Sequence, residues 1–154
     1  MSGLQSLETR IDHLGIAVIS LEAACGLYES LGLRVEHEET VAQERVRVAM
    51  IPTATGRIEL LEPTEEDSPV GRFLKKRGEG LHHVALQVED IEAALAALKT
   101  RGARLVSDRV QRGAGGHLYF FVHPESAGGV LLEICQDSKQ NGKWKEETVH
   151  AVGD

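Results

Sequence analysis

The chain carries one pattern twice. Sliding it by 70 residues lays IDHLGIAVISLEAACGLYESLGLRV (11–35) over LHHVALQVEDIEAALAALKTRGARL (81–105) without a gap. His13 then meets His83, Val18 meets Val88, Glu22-Ala23-Ala24 meets Glu92-Ala93-Ala94, and Gly32 and Arg34 meet Gly102 and Arg104. Further on, VRVAMIP (46–52) lies over LYFFVHP (118–124), and RIELL (57–61) over LLEIC (131–135), with an insertion of two residues near Gly128-Gly129. A chain with such a repeat folds as one supersecondary unit used twice.

Each copy reads as strand, helix, then three strands. Leu14, Ile16 and Val18 alternate along the first strand, as do Val84, Leu86 and Val88 in the second copy. Ser20 is placed to cap a helix whose inward stripe is Leu21, Ala24, Cys25 and Tyr28, closed by Gly32. Asp90 does the same for Ile91, Ala94, Leu95 and Leu98, closed by Gly102. Between the copies, Asp67-Ser68-Pro69 opens a short helix through Phe73 and Leu74 that ends at Gly78. The expected fold class is α+β, two βαβββ modules forming one mixed sheet. A single domain over 8–136, with modules at about 10–62 and 80–136, is followed by a polar tail, 137–154, anchored if anywhere by Trp144.

The bulk numbers narrow the function. With 154 residues, 42% of them apolar, the chain can build one real core. A net charge of −7 offers no basic face for a nucleic acid. No apolar run approaches the roughly 20 residues that span a bilayer, so no membrane role is expected. MSGLQSLETR lacks the apolar core of a secretory signal. Cys25 and Cys135 form no CxxC pair and read as small buried hydrophobes of a reduced, cytoplasmic protein.

Strand parity then picks out four side chains. If Leu14, Ile16 and Val18 pack on the helix, His13 points to the other face, and so does His83. By the same parity His82 falls on the helix side, as a structural neighbour. Glu59 sits between Ile58 and Leu60, and Glu133 between Leu132 and Ile134, so both carboxylates also point away from the helices. A carboxylate buried inside such a strand costs several kcal/mol unless its charge is compensated. No Lys or Arg occupies a matching position, which makes a divalent cation the natural counter-charge. Two imidazoles with carboxylates suit Zn, Co, Ni, Mn or Fe(II) better than Ca or Mg. RGAGGH (112–117) lacks the strand-to-helix setting of a phosphate loop and reads as a strand connection lining this face. Lys75-Lys76-Arg77 reads as a solvated last helical turn.

The motifs IDHLGIAV, IELLEPTEEDSPVGRFL, GEGLHHVALQVEDI and HPESAGGVLLEIC resemble the vicinal oxygen chelate (glyoxalase-like) superfamily, and within it the methylmalonyl-CoA epimerases. They cover residues 10 to 136. The resemblance implies a curved sheet whose strands form a metal-holding cup, an acyl-CoA substrate and a homodimer. It implies His13, His83 and Glu133 as metal ligands with Glu59 as a fourth contact, and one divalent ion, Co2+ foremost, with Mn2+, Ni2+ or Zn2+ as alternatives. The activity implied is epimerisation of (2R)/(2S)-methylmalonyl-CoA by 1,1-proton transfer through a metal-stabilised enolate. Glu59 and Glu133, one from each copy, are then the catalytic pair.

The chain departs from the family in places. Some members carry a glutamate base at the position of Val48 and a glutamine at that of Glu59, so the base is expected to have moved to Glu59. Glu44, in the polar loop QER, is the second choice. Where Glu125 stands the family often has a lysine. The rival readings are a glutathione-dependent lyase of the glyoxalase type, an Fe(II) extradiol dioxygenase, and a drug-sequestering module without metal ligands.

Overall fold

The computed structural model describes residues 8–113 and 116–137; the polar tail beyond 137 and Trp144 lie outside the described residues. The first module runs β1 (Arg10–Ala17), α1 (Leu21–Ser30), β2 (His37–Val41), β3 (Val46–Pro52) and β4 (Arg57–Pro63). After α2 (Pro69–Arg77) the second repeats it as β5 (Gly80–Gln87), α3 (Ile91–Thr100), β6 (Gln111–Arg112), β7 (Leu118–Val122) and β8 (Leu131–Gln136). All eight strands form one mixed sheet in the order β2-β3-β4-β1-β5-β8-β7-β6. β1 pairs parallel with β4 and β5 parallel with β8, while β1 and β5 meet antiparallel at the centre. The order reads the same from either edge, as a twofold repeat requires.

Local chemistry sets the helices. The hydroxyl of Ser20 accepts from the N–H of Ala23, and the Asp90 carboxylate accepts from the N–H of Ala93. Ser68 accepts from Gly71 and is followed by Pro69 at the first helical position. Each such cap contributes about 1 kcal/mol. α1 and α3 are followed, at matching positions, by Gly32 and Gly102 with φ of +87° and +78°, which a side chain would resist.

The helices cover the sheet unequally. α1 packs Leu21 and Cys25 on Ile51 and Leu60, and α3 packs Ile91 and Leu95 on Phe120 and Ile134, both on one face. On the opposite face α2 lays Val70, Phe73 and Leu74 over Ala17, Val46, Val48 and Leu61. On the matching face of the second module, Ala85, Tyr119, Phe121, Leu131 and Cys135 make a small apolar cluster. Fully burying one such side chain stabilises by about 1.5–3 kcal/mol. Both cysteines are buried and unpaired with each other. No helix among the described residues is long and apolar enough to cross a membrane.

Candidate active site

The four middle strands, β4-β1-β5-β8, each send a buried polar side chain to the face away from α1 and α3. Glu59, His13, His83 and Glu133 come from them in that order, and none is more than 1% exposed. The register explains why they converge. Gly15 on β1 lies opposite both Glu59 and His83, and Ala85 on β5 lies opposite both His13 and Glu133. Two small residues thus form the floor beneath four large polar ones. A methyl group on Gly15 would lie 2.1 Å from Cε1 of His83 and 2.6 Å from its Nε2. Gly15→Ala is therefore expected to push the His83 ring aside, at about 1–3 kcal/mol of stability, and to weaken cation binding. Gly26→Ala, which adds a methyl to a helix where nothing lies within 4 Å, is the control. Equal cation affinity in the two variants would refute this role for Gly15.

The Nε2 atoms of His13 and His83 are 3.1 Å apart. That is about the separation of two nitrogen ligands each roughly 2.0–2.1 Å from one ion. Nε2 of His13 lies 3.8 Å from a carboxylate oxygen of Glu59 and 3.8 Å from one of Glu133. Nε2 of His83 lies 3.5 Å and 3.9 Å from the same two groups. Neither oxygen of Glu59 accepts a hydrogen bond from any described residue, although the side chain is fully buried. His13, His83 and Glu133 form a group able to hold a metal ion, and the donor set suits one.

The electrostatics are those of paired acids and bases out of water. Burial pushes the Glu59 carboxyl up and the charge of Glu133 adds to it, His13 opposes, and the result is about 7. Burial alone would depress His13, but Glu59, the hydrogen bond to Asp12 and Glu133 outweigh it and raise the imidazole to about 9. Burial, helped by the neighbouring His13 and His82 imidazoles, lowers His83 well below the usual histidine range. His13 is thus the protonated ring and donates from Nε2 to the neutral His83.

Two expectations need correction. His82 does not lie on the helix-covered side. A β-bulge between the Gly15/His83 and Ile16/Leu81 pairs breaks the alternation there. The His82 ring instead packs against Phe73 of α2 at 5.0 Å, and its Nδ1 lies 3.0 Å from Nδ1 of His83. A basic group is also nearer than expected. Arg57 shares the face of Glu59 and donates to Asp12 at 2.7 Å, while Asp12 accepts from Nδ1 of His13 at 2.6 Å. Burial would raise the Asp12 carboxyl, but the hydrogen bond from His13 and the charges of His13 and Arg57 hold it at about 2.

His117 was not foreseen as a site residue. It is 2% exposed, with Nε2 3.6 Å from Glu133, Nδ1 2.8 Å from Asp137, and its ring stacked on Tyr119. The signal was present, since His117, Tyr119 and Phe121 alternate onto one face, but the Gly-rich run before them reads as a loop. Cys135 lies beside the same cluster. Its thiol donates to Leu86 O and Gln87 Oε1 and is pushed up by burial, so it is a poor ligand.

Glu44 is half-buried, and its charge reaches the Tyr119 hydroxyl. Val48 is buried in the apolar cluster under α2. Glu125 pairs with Arg104 on the surface. Lys75 reaches toward Glu66 and Arg77 lies over the Phe73 ring, at the outer end of α2.

The geometry has counterparts among known proteins. Residues 12–121 match the family described as glyoxalase/bleomycin resistance protein/dioxygenase superfamily. The chain is 40% identical over 130 residues to the ethylmalonyl-CoA/methylmalonyl-CoA epimerase of Cereibacter sphaeroides, covering 82% of this chain and 97% of that one. It is 37% identical over 129 residues to the mitochondrial methylmalonyl-CoA epimerase of Homo sapiens, covering 82% and 73%. A methylmalonyl-CoA epimerase solved in complex with methylmalonyl-CoA and an ammonium ion superimposes with a TM-score of 0.75 at 39% identity, over 84% of this chain and 95% of that one. The chain belongs to the glyoxalase/bleomycin resistance protein/dioxygenase superfamily and, within it, to the methylmalonyl-CoA epimerases.

Proposed function

We propose that the chain interconverts the two epimers of methylmalonyl-CoA by moving one proton at the carbon between thioester and carboxylate. The observation that carries this reading is the pair of fully buried carboxylates, Glu59 and Glu133, delivered by opposite modules onto one His13–His83 centre. Inversion needs a proton taken from one face of the carbon and another returned to the opposite face, and a base from each module supplies both. Glu59, raised to about 7, is matched to a proton that must be both accepted and given back near neutral pH. It accepts the C–H proton while the electron pair of that bond passes into the thioester carbonyl. Glu133, having taken up a proton from solvent before the cycle, then delivers that proton to the other face. This leaves Glu59 protonated and Glu133 ionised, ready for the reverse inversion.

His13, His83 and Glu133 are the groups that would hold a divalent ion, with Glu59 as a fourth contact; Co2+ is the leading choice, with Mn2+, Ni2+ and Zn2+ as alternatives. When bound, such an ion supplies positive charge for the substrate oxygens as they become anionic. Burial of these four side chains keeps water from competing for those charges. The same reading makes the protein a cytoplasmic homodimer acting on acyl-CoA.

Deuterium incorporation at the acidic carbon of methylmalonyl-CoA in heavy water, with and without added divalent ion, is the test. Metal-dependent incorporation with loss of optical purity is expected; no exchange under either condition would overturn the proposal. A pH dependence of metal affinity should accompany it. His13 is protonated up to about 9 when no ion is present, so binding displaces a proton from its Nε2. Affinity should therefore rise with pH, by about tenfold per unit for one proton, across the range below that value. Competition titrations with a chromophoric chelator at several pH values measure this, and a flat profile would count against His13 as ligand.

A further inference from the structure

The two bulges on the central strands stand at equivalent places in the repeat. On β1, the step from Ile11 to His13 spans a single step, Leu86 to Ala85, on β5. On β5, the step from Leu81 to His83 spans a single step, Ile16 to Gly15, on β1. The extra residues are Asp12 and His82, which the offset of 70 superimposes. In a regular strand each would point away from the histidine that follows it. The bulge turns each one toward that ring instead. Oδ2 of Asp12 lies 2.6 Å from Nδ1 of His13, and Nδ1 of His82 lies 3.0 Å from Nδ1 of His83. The residue types differ and the geometry is the same.

We infer that Asp12 and His82 are paired positioning residues, each held in a β-bulge so as to accept from Nδ1 of the next histidine and thereby turn that ring's Nε2 into the cup. This rests on the metal-site reading above. A carboxylate can only accept, so His13 carries a proton on Nδ1. His83 must keep a lone pair on Nε2 to ligate, so its proton is on Nδ1 and passes to Nδ1 of His82, which keeps its own proton on Nε2. Each acceptor is fixed from behind. Arg57 donates to Asp12 at 2.7 Å, and Phe73 packs edge-on against His82 with ring centroids 5.0 Å apart. Helix α2 therefore supports the orientation of His83 through His82. Partners of this kind set both the tautomer and the direction of a ligating ring.

The test compares His82→Phe with His82→Asn. Phenylalanine keeps a ring against Phe73 but offers no acceptor, while asparagine keeps an acceptor near the place of Nδ1. Co2+ affinity, from competition with a chromophoric chelator, should fall about 10- to 100-fold in His82→Phe and stay within about threefold of wild type in His82→Asn. Nitrogen-15 spectra of histidine-labelled, metal-free protein are recorded at about pH 10, where Nε2 of His13 no longer carries a proton to donate to His83. They should show His83 as the Nδ1–H tautomer in wild type and His82→Asn, and as a mixture in His82→Phe. The tautomer is read without metal, so it judges the orienting bond apart from the metal site, which the wild-type Co2+ titration judges by itself. Should His82→Phe not fold, Asp12→Ala serves in its place: with the acceptor behind Nδ1 of His13 gone, Co2+ affinity should drop by about 10- to 100-fold, and Tm is read alongside because Arg57 also loses its partner. An unchanged His83 tautomer in His82→Phe, or a His82→Asn variant that loses as much affinity as His82→Phe, would overturn the inference; so would wild-type affinity in Asp12→Ala.

Discussion

Glu59→Gln is expected to lower turnover about 10²- to 10⁴-fold, the usual contribution of one acid–base group, while the cation stays bound. The amide oxygen can still face the ion, but the group accepts no proton. The variant should fold at neutral pH, because it replaces a fully buried carboxyl whose ionisation burial already opposes. Glu133→Gln should lose more metal, since Glu133 stands in the ligand group with His13 and His83. The sharper measurement follows each epimer separately. Inversion needs both bases, so it should fail for both epimers in Glu59→Gln. Exchange at the C–H that faces Glu133 should persist in one epimer. Equal loss of exchange and inversion in both epimers would sink the two-base assignment, and full activity would move the base to Glu44 or to His117.

His13→Ala and His83→Ala should each remove most of the bound metal while the domain still folds. The loss should exceed the 10- to 100-fold typical of an outer partner, because a donor atom itself disappears. Neither ring belongs to the apolar clusters under α1 and α3, so the helix packing survives. Deleting His13 also leaves Asp12 facing Arg57 alone, and Glu59 without its protonated neighbour. His83→Ala removes a neutral ring and should be the milder change to stability. Metal content by elemental analysis, with the thermal transition alongside, tests both. Stoichiometric metal in His83→Ala would end the assignment of β5 as a ligand strand.

Much of this was legible from residue types and spacing alone. The 70-residue offset gave the two repeated βαβββ modules, because matching polarity patterns impose matching strand and helix faces; the order of their strands in the sheet came from the structure. Ser20, Asp90 and Ser68 marked the helix starts, since a side-chain oxygen in that place satisfies a backbone N–H whatever lies around it. Parity placed Glu59, Glu133, His13 and His83 on one face, as period-two geometry demands of any regular strand. The places where parity failed are the two bulges. A bulge depends on how one strand registers against its partner, which no single strand encodes, so Asp12 and His82 could not be assigned to the cup from their own segments. The same is true of Arg57, which meets Asp12 only because β1 and β4 run parallel side by side. His117 and Asp137 joined Glu133 through the pairing of β7 with β8. Sequence determined which side chains exist on which face; the register between strands decided which of their atoms touch.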